Sequence, residues 1–66
     1  MYFYLYFFAK IVPFGNGFKI KSNVEHKGLV KEKDEQGLYF WYSPLFENLE
    51  GVVNFSRENE IYADLP

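Results

Sequence analysis

The sequence predicts a mainly β fold: a small antiparallel meander or partly closed barrel of four to six strands, with one short helix near 44–50. Aromatic residues, which favour strands, make up 23% of the 66 residues. Apolar side chains alternate along the N-terminal run, and two glycine-containing turn motifs separate strand-like segments. The chain has no repeat or linker, so its length predicts one domain spanning 1–66.

The first strand is predicted within residues 2–11, because side chains there alternate between apolar and amphipathic. No basic residue precedes this run and Lys10 ends it, so it differs from a signal peptide and is too short to cross a membrane. We therefore expect a cytoplasmic protein with no membrane association. The odd-numbered positions are all apolar: Phe3, Leu5, Phe7, Ala9 and Ile11.

A first hairpin follows this strand. Asn16-Gly17 is a strong signal for a type I′ turn, which needs positive φ at both central residues. Centring the turn there pairs Pro13 with Ile20, Ile11 with Ser22, and Ala9 with Val24. In this register, odd-numbered residues of the first strand share a face with even-numbered residues of the second strand.

The two faces of this hairpin receive different residues. Phe3, Phe7 and Phe18 are predicted to enter a Phe-rich core. We expect the opposite face to be half-exposed in a monomer and to be the place where a partner sits. It carries Tyr2, Tyr4, Tyr6, Lys10, Lys19 and Lys21.

A second hairpin is predicted at Asp34-Glu35-Gln36-Gly37, as a type I turn with the glycine in the left-handed region. Two interpretations of this hairpin stay open: lysine stems that cover rings at the surface, or an aromatic and cationic platform for a ligand. A four-residue loop would shift the pairing by one. The expected pairs are Lys33 with Tyr39, Lys31 with Trp41, and Val30 with Tyr42.

The short helix is predicted from end signals. Ser43 suits the N-cap, Pro44 the first helical position, and Gly51 the residue after the end. In the tail, Val52–Phe55 and Glu60–Leu65 favour a third hairpin. The alternative is a helix capped by Ser56.

Composition excludes several kinds of site. The chain has no cysteine and one histidine, so a disulfide scaffold, an iron–sulfur cluster and a multi-histidine metal site are excluded. His26 lies at a predicted strand end, and no serine lies in a nucleophile-elbow motif. We expect no enzyme, no cofactor and no metal.

Charge is uneven along the chain, whose net charge is −2. Residues 1–33 carry six lysines against two glutamates, whereas residues 34–66 carry one arginine against seven carboxylates. A dipolar molecule could self-associate or dock its acidic side on a basic partner. The candidate acidic docking surface comprises Glu47, Glu50, Glu58, Glu60 and Asp64.

These observations favour a non-enzymatic interaction module that docks on a protein partner, with self-association expected. A small inhibitor encoded by a phage or mobile element is compatible with this size. The first alternative is a ligand or nucleic-acid binder, and the second is a structural subunit that assembles by strand-edge pairing. A nucleic-acid binder would use Tyr4, Tyr6, Tyr39 and Trp41 for stacking, with Lys10, Lys19, Lys21 and Lys31 for phosphates.

Overall fold

A computed structural model describes residues 7–66. The predicted fold class is confirmed: four antiparallel strands form one open sheet in the order β1-β2-β4-β3, and one short helix packs against it. The aromatic run before residue 7 lies outside the described residues. The elements are β1 (Ala9–Phe14), β2 (Gly17–Ser22), β3 (Val30–Lys33), β4 (Tyr39–Tyr42) and α1 (Leu49–Glu58).

The first hairpin has the predicted faces but a different register. Ile11 pairs with Ile20, so the predicted pairing of Ile11 with Ser22 is wrong by two residues. The turn centres on Gly15-Asn16, and Gly15 has φ 55°, the pattern of a type II′ turn. Gly17 instead enters β2, where a Cβ atom would collide with the carbonyl oxygen of Phe46.

The second hairpin has the predicted register. Lys33 pairs with Tyr39, and Lys31 pairs with Trp41. Gly37 has φ 84°, as the type I turn with a left-handed glycine requires. The Asp34 carboxylate accepts hydrogen bonds from the Gln36 and Leu38 amides, both at 2.9 Å.

The segment after β4 is extended, so the helix predicted near 44–50 is misplaced. Ser43 does not cap a helix: its Oγ accepts a hydrogen bond from the Ile20 amide at 2.8 Å. Phe46 then pairs with Phe18 through both backbone hydrogen bonds, at 2.7 and 2.9 Å. These bonds lie on the side of β2 that also pairs with β4. They occupy the Phe46 N–H and C=O groups, which a helix would need for its own hydrogen bonds.

Helix α1 begins after Asn48, whose side chain accepts a hydrogen bond from the Gly51 amide at 2.8 Å. Gly51 thus lies in the first turn rather than beyond the end. Val52 and Ser56, four residues apart, face the sheet and are buried. The third hairpin, with a strand at Val52–Phe55, is therefore wrong, and so is Ser56 as an N-cap.

The tail after α1 returns to the free edge of β1. The Ile11 amide donates to the Asp64 carbonyl at 2.7 Å, and the Asp64 amide donates to the Ala9 carbonyl at 2.8 Å. Pro13, two residues beyond Ile11, faces the same edge, so its missing N–H leaves the β1–β2 ladder intact. The tail thus protects part of an edge strand.

The buried core is aliphatic, which corrects the prediction of a Phe-rich core. Phe18, Phe46 and Phe55 only flank this core, and Phe7 is 68% exposed. Phe3 lies outside the described residues. Because side chains alternate, Phe14 in β1 and Phe8 just before it fall on the opposite face. The core comprises Ile11, Ile20, Leu29, Val52 and Ile61.

Three buried serines replace missing backbone partners. Ser22 donates to the Phe8 carbonyl at 2.8 Å and accepts from the Val24 amide at 3.1 Å. Ser43 accepts from the Ile20 amide of the central strand β2, and Ser56 accepts from the Ala63 amide near the end of α1. Within residues 7–66, every buried side-chain nitrogen and oxygen has a hydrogen-bond partner. The same part of the chain contains no helix long and apolar enough to cross a membrane.

Candidate functional site

The sheet face opposite α1 combines lysines with aromatic rings. Lys10 pairs with Lys21 across β1 and β2, and Val12 pairs with Lys19 in the next cross-strand pair on the same face. Lys21 also pairs with Tyr42, which extends the same face onto β4. We call this surface the basic aromatic face, formed by Phe8, Lys10, Val12, Phe14, Lys19, Lys21, Phe40 and Tyr42.

Lysine ammonium groups lie over the rings of this face. The Lys19 Nζ is 4.0 Å from the ring centroid of Phe14, and the Lys21 Nζ is 4.1 Å from that of Phe40. The Lys10 Nζ is 5.2 Å from the centroid of Phe8. These distances match cation–π contacts, which hold charged heads above a shared aromatic layer.

Two strands and a serine position the rings. Phe8 precedes β1, and its carbonyl accepts the hydrogen bond from the buried Ser22 hydroxyl. The Phe8 ring contacts the Phe40 ring, with centroids 6.1 Å apart and planes tilted by 47°. Residues distant in sequence therefore meet on one surface.

A cleft of about 440 Å³ opens on this face between the two hairpin turns. Its apolar wall comes from Val12, Pro13 and Phe14 at the end of β1. The facing wall is acidic, because the second hairpin contributes carboxylates near its turn. Lys19, Lys21 and Lys33 line the cleft together with Tyr42, Glu32, Asp34 and Glu35.

Tyr42 is buried at this cleft, with 7% of its surface exposed. Burial raises the pKa of its phenol above 10.0, and the nearby carboxylates of Asp34 and Glu32 raise the pKa further. The phenol is therefore neutral at physiological pH and can donate a hydrogen bond to an anionic group. It has no feature of a catalytic base.

The predicted binding residues divide between the two faces. Lys10, Lys19 and Lys21 belong to the basic aromatic face, whereas Lys31, Tyr39 and Trp41 lie on the face that carries α1. Trp41 packs partly buried against the core. Tyr39 is 58% exposed, with the Lys31 Nζ 5.2 Å from its ring centroid. Tyr2, Tyr4 and Tyr6 lie outside the described residues.

The binding residues predicted from the sequence do not include the four aromatic members of the face: Phe8, Phe14, Phe40 and Tyr42. Their even numbers in β1 and β4 were the available signal, because side chains at alternate positions share a face. The pairing of Lys21 with Tyr42 joins those positions, and it depends on a contact between distant segments.

The predicted acidic residues are all exposed but form no single cluster. Glu47 and Glu50 lie at the N-terminal end of α1, whereas Glu58 and Glu60 lie at its C-terminal end, about 15 Å away at the rise of an α-helix. Asp64 follows on the strand-like tail beside β1.

No protein-family model, curated protein or solved structure matches this chain. Among residues 7–66, no group of three or more histidine, aspartate or glutamate side chains could hold a metal ion. The basic aromatic face presents lysine ammonium groups and aromatic rings.

Proposed function

We propose that this protein is a non-enzymatic interaction module whose basic aromatic face binds an acidic segment of a partner protein. The observation that carries the proposal is the cross-strand pair of Lys10 and Lys21, with Lys19 in the next pair on the same face. Like charges directly opposite each other destabilise a strand pair. An anionic partner would offset this repulsion.

The occupied ring faces favour a protein partner over stacked bases. Lys19 and Lys21 already lie about 4 Å above the rings of Phe14 and Phe40. A nucleobase would have to displace these ammonium groups before it could stack. Carboxylates can approach the same ammonium groups from outside without disturbing the rings.

The acidic wall of the cleft also disfavours a nucleic-acid backbone. Glu32, Asp34 and Glu35 face the lysines across the cleft, and the whole chain has a net charge of −2. A continuous phosphate chain would meet repulsion there. A peptide whose side chains alternate in charge or polarity avoids it.

Isothermal titration with a synthetic glutamate-rich peptide, in which glutamates alternate with serines, tests this proposal. We expect binding at low salt that weakens as salt rises, because exposed ion pairs are screened. Lys10→Gln combined with Lys21→Gln should weaken binding about ten-fold, since two exposed ion pairs together contribute on the order of 1 kcal/mol or more.

The matched control is Lys27→Gln combined with Lys31→Gln, which removes the same charge. Lys31 lies on the face that carries α1, and Lys27 precedes Gly28, which lies close to Phe55 and Asn59 at the end of α1. This control variant should bind nearly as well as the wild type. Equal weakening of both variants would indicate a net-charge effect and contradict the proposal. Tighter binding of an oligothymidine strand than of the peptide would favour the nucleic-acid alternative.

A further inference from the structure

A second surface surrounds Tyr62, in the tail after α1. Tyr62 has φ 53° and Glu60 has φ 58°, both in the left-handed region that bulky residues rarely adopt. The Tyr62 side chain is 69% exposed, whereas Ile61 beside it is buried in the core. The strained backbone therefore presents a large ring to solvent.

Ser56 holds this conformation in place. Its carbonyl accepts hydrogen bonds from the Ile61 amide at 2.9 Å and the Tyr62 amide at 3.5 Å. Its buried hydroxyl oxygen accepts a hydrogen bond from the Ala63 amide at 2.7 Å. Glycine would adopt positive φ without strain, so a tyrosine at this position carries a backbone cost, and its exposed ring gains little from burial in return.

Tyr62 forms a ridge between two small clefts. The cleft on one side has a volume of about 270 Å³ and is lined by Phe7 and Asp64. The cleft on the other side has a volume of about 210 Å³ and is lined by Arg57 and Leu65. Phe7 and Leu65 are 68% and 63% exposed, so each side combines one apolar and one charged residue.

The two clefts are complementary in charge, because one is lined by Asp64 and the other by Arg57. We propose that a second copy of this chain docks here about a two-fold axis beside Tyr62, as in most homodimers. The axis would place Arg57 against the partner's Asp64 and Leu65 against the partner's Phe7. Each Tyr62 ring would enter a cleft of the other protomer. This proposal does not depend on the proposed function of the basic aromatic face.

A charge-swap experiment distinguishes this dimer from contacts within one chain. Arg57→Glu would oppose the partner's Asp64 with a like charge, and Asp64→Arg would oppose the partner's Arg57 similarly. Each variant alone should be monomeric by sedimentation at low ionic strength. A 1:1 mixture should regain the dimer mass, because each two-fold interface then joins opposite charges.

The wild type should be dimeric within the range up to about 1 mM, at which even weak interfaces are populated. A monomer throughout that range would overturn the proposal. Single variants that dimerise like the wild type would also overturn it, as would a mixture of folded variants that stays monomeric. Thermal unfolding of each variant establishes that it is folded.

Tyr62→Gly supplies a second test that does not require an altered charge. The substitution relieves the backbone strain, so the monomer should unfold at an equal or higher temperature. It also removes the central ring, so the dimer dissociation constant should rise by more than about ten-fold. An unchanged dissociation constant would contradict the assignment of Tyr62 to the interface.

Discussion

The two faces of the sheet are built from the same strands and differ in almost every physical property. In β1, Lys10 and Ile11 are neighbours, yet Ile11 is 2% exposed in the aliphatic core and Lys10 is exposed on the opposite face. The core face packs its aliphatic side chains against α1, whereas the centre of the basic aromatic face carries ammonium groups above rings. Alternation along a strand thus places the buried core and the proposed binding surface at adjacent residues.

The largest expected effect comes from the core face. Ile20 is fully buried, so Ile20→Ala should lower the free energy of unfolding by about 2–5 kcal/mol, because it leaves a cavity. Lys19→Ala, one residue away, should cost only about 0.5–1 kcal/mol, the value of an exposed cation–π contact. Urea denaturation measures both. Similar losses for the two variants would break the comparison.

A smaller effect is expected where β2 meets the extended segment after β4. Gly17→Ala would force a Cβ atom into the Phe46 carbonyl oxygen, and overpacking of this kind costs about 1–3 kcal/mol. The matched control is Gly37→Ala, which has no atom within 4 Å of the added Cβ but has φ 84°. Its cost should be about 1–2 kcal/mol, from strain alone. A Gly17→Ala protein as stable as the wild type would contradict the close approach.

Substitution of Lys10 and Lys21 by glutamine should hardly change stability. The two residues face each other across β1 and β2, so the loss of their repulsion offsets the loss of the cation–π contacts. We expect a change within about 0.5 kcal/mol by urea denaturation, as for most surface substitutions. A loss comparable to that of Ile20→Ala would mean that the basic aromatic face is part of the stabilising structure.

The smallest effect concerns pH. Burial, followed by Asp34 and Glu32, raises the pKa of Tyr42 above 10.0, so the folded state holds this proton more tightly than the unfolded state. Its stabilisation is fully present below pH 10.0 and is lost as pH rises through the folded-state pKa. The free energy of unfolding should therefore fall less steeply in this range for Tyr42→Phe. Identical slopes would contradict the burial of this phenol at the cleft.

Local sequence signals predicted the exact strand register of the second hairpin. For the first hairpin they predicted only which side chains share a face of the sheet. Asp34–Gly37 favours the observed turn over the longer loop that would shift the pairing by one, because Gly37 tolerates positive φ there. Gly15-Asn16-Gly17 allows two, since either glycine suits a hairpin turn. The choice between them depends on Gly17 against the Phe46 carbonyl, a contact between segments far apart in the sequence.

The helix was misplaced for a related reason. Ser43 and Gly51 carry the signals of a helix start and end, but tertiary structure uses them differently. The Ser43 hydroxyl binds the Ile20 amide across the sheet, and Gly51 donates to the Asn48 cap inside the first turn. The basic aromatic face was likewise predictable in its lysines and not in its rings, because β4 joins β2 through non-local pairing.

The proposed binding by the basic aromatic face, and not by the face that carries α1, is tested most directly by an NMR titration of the labelled protein with the glutamate-rich peptide. We expect amide chemical-shift changes concentrated at Lys10, Lys19, Lys21 and Tyr42, with the shifts of Leu29 and Val52 unchanged. Shift changes confined to α1, or spread equally over both faces of the sheet, would contradict the assignment of binding to the basic aromatic face.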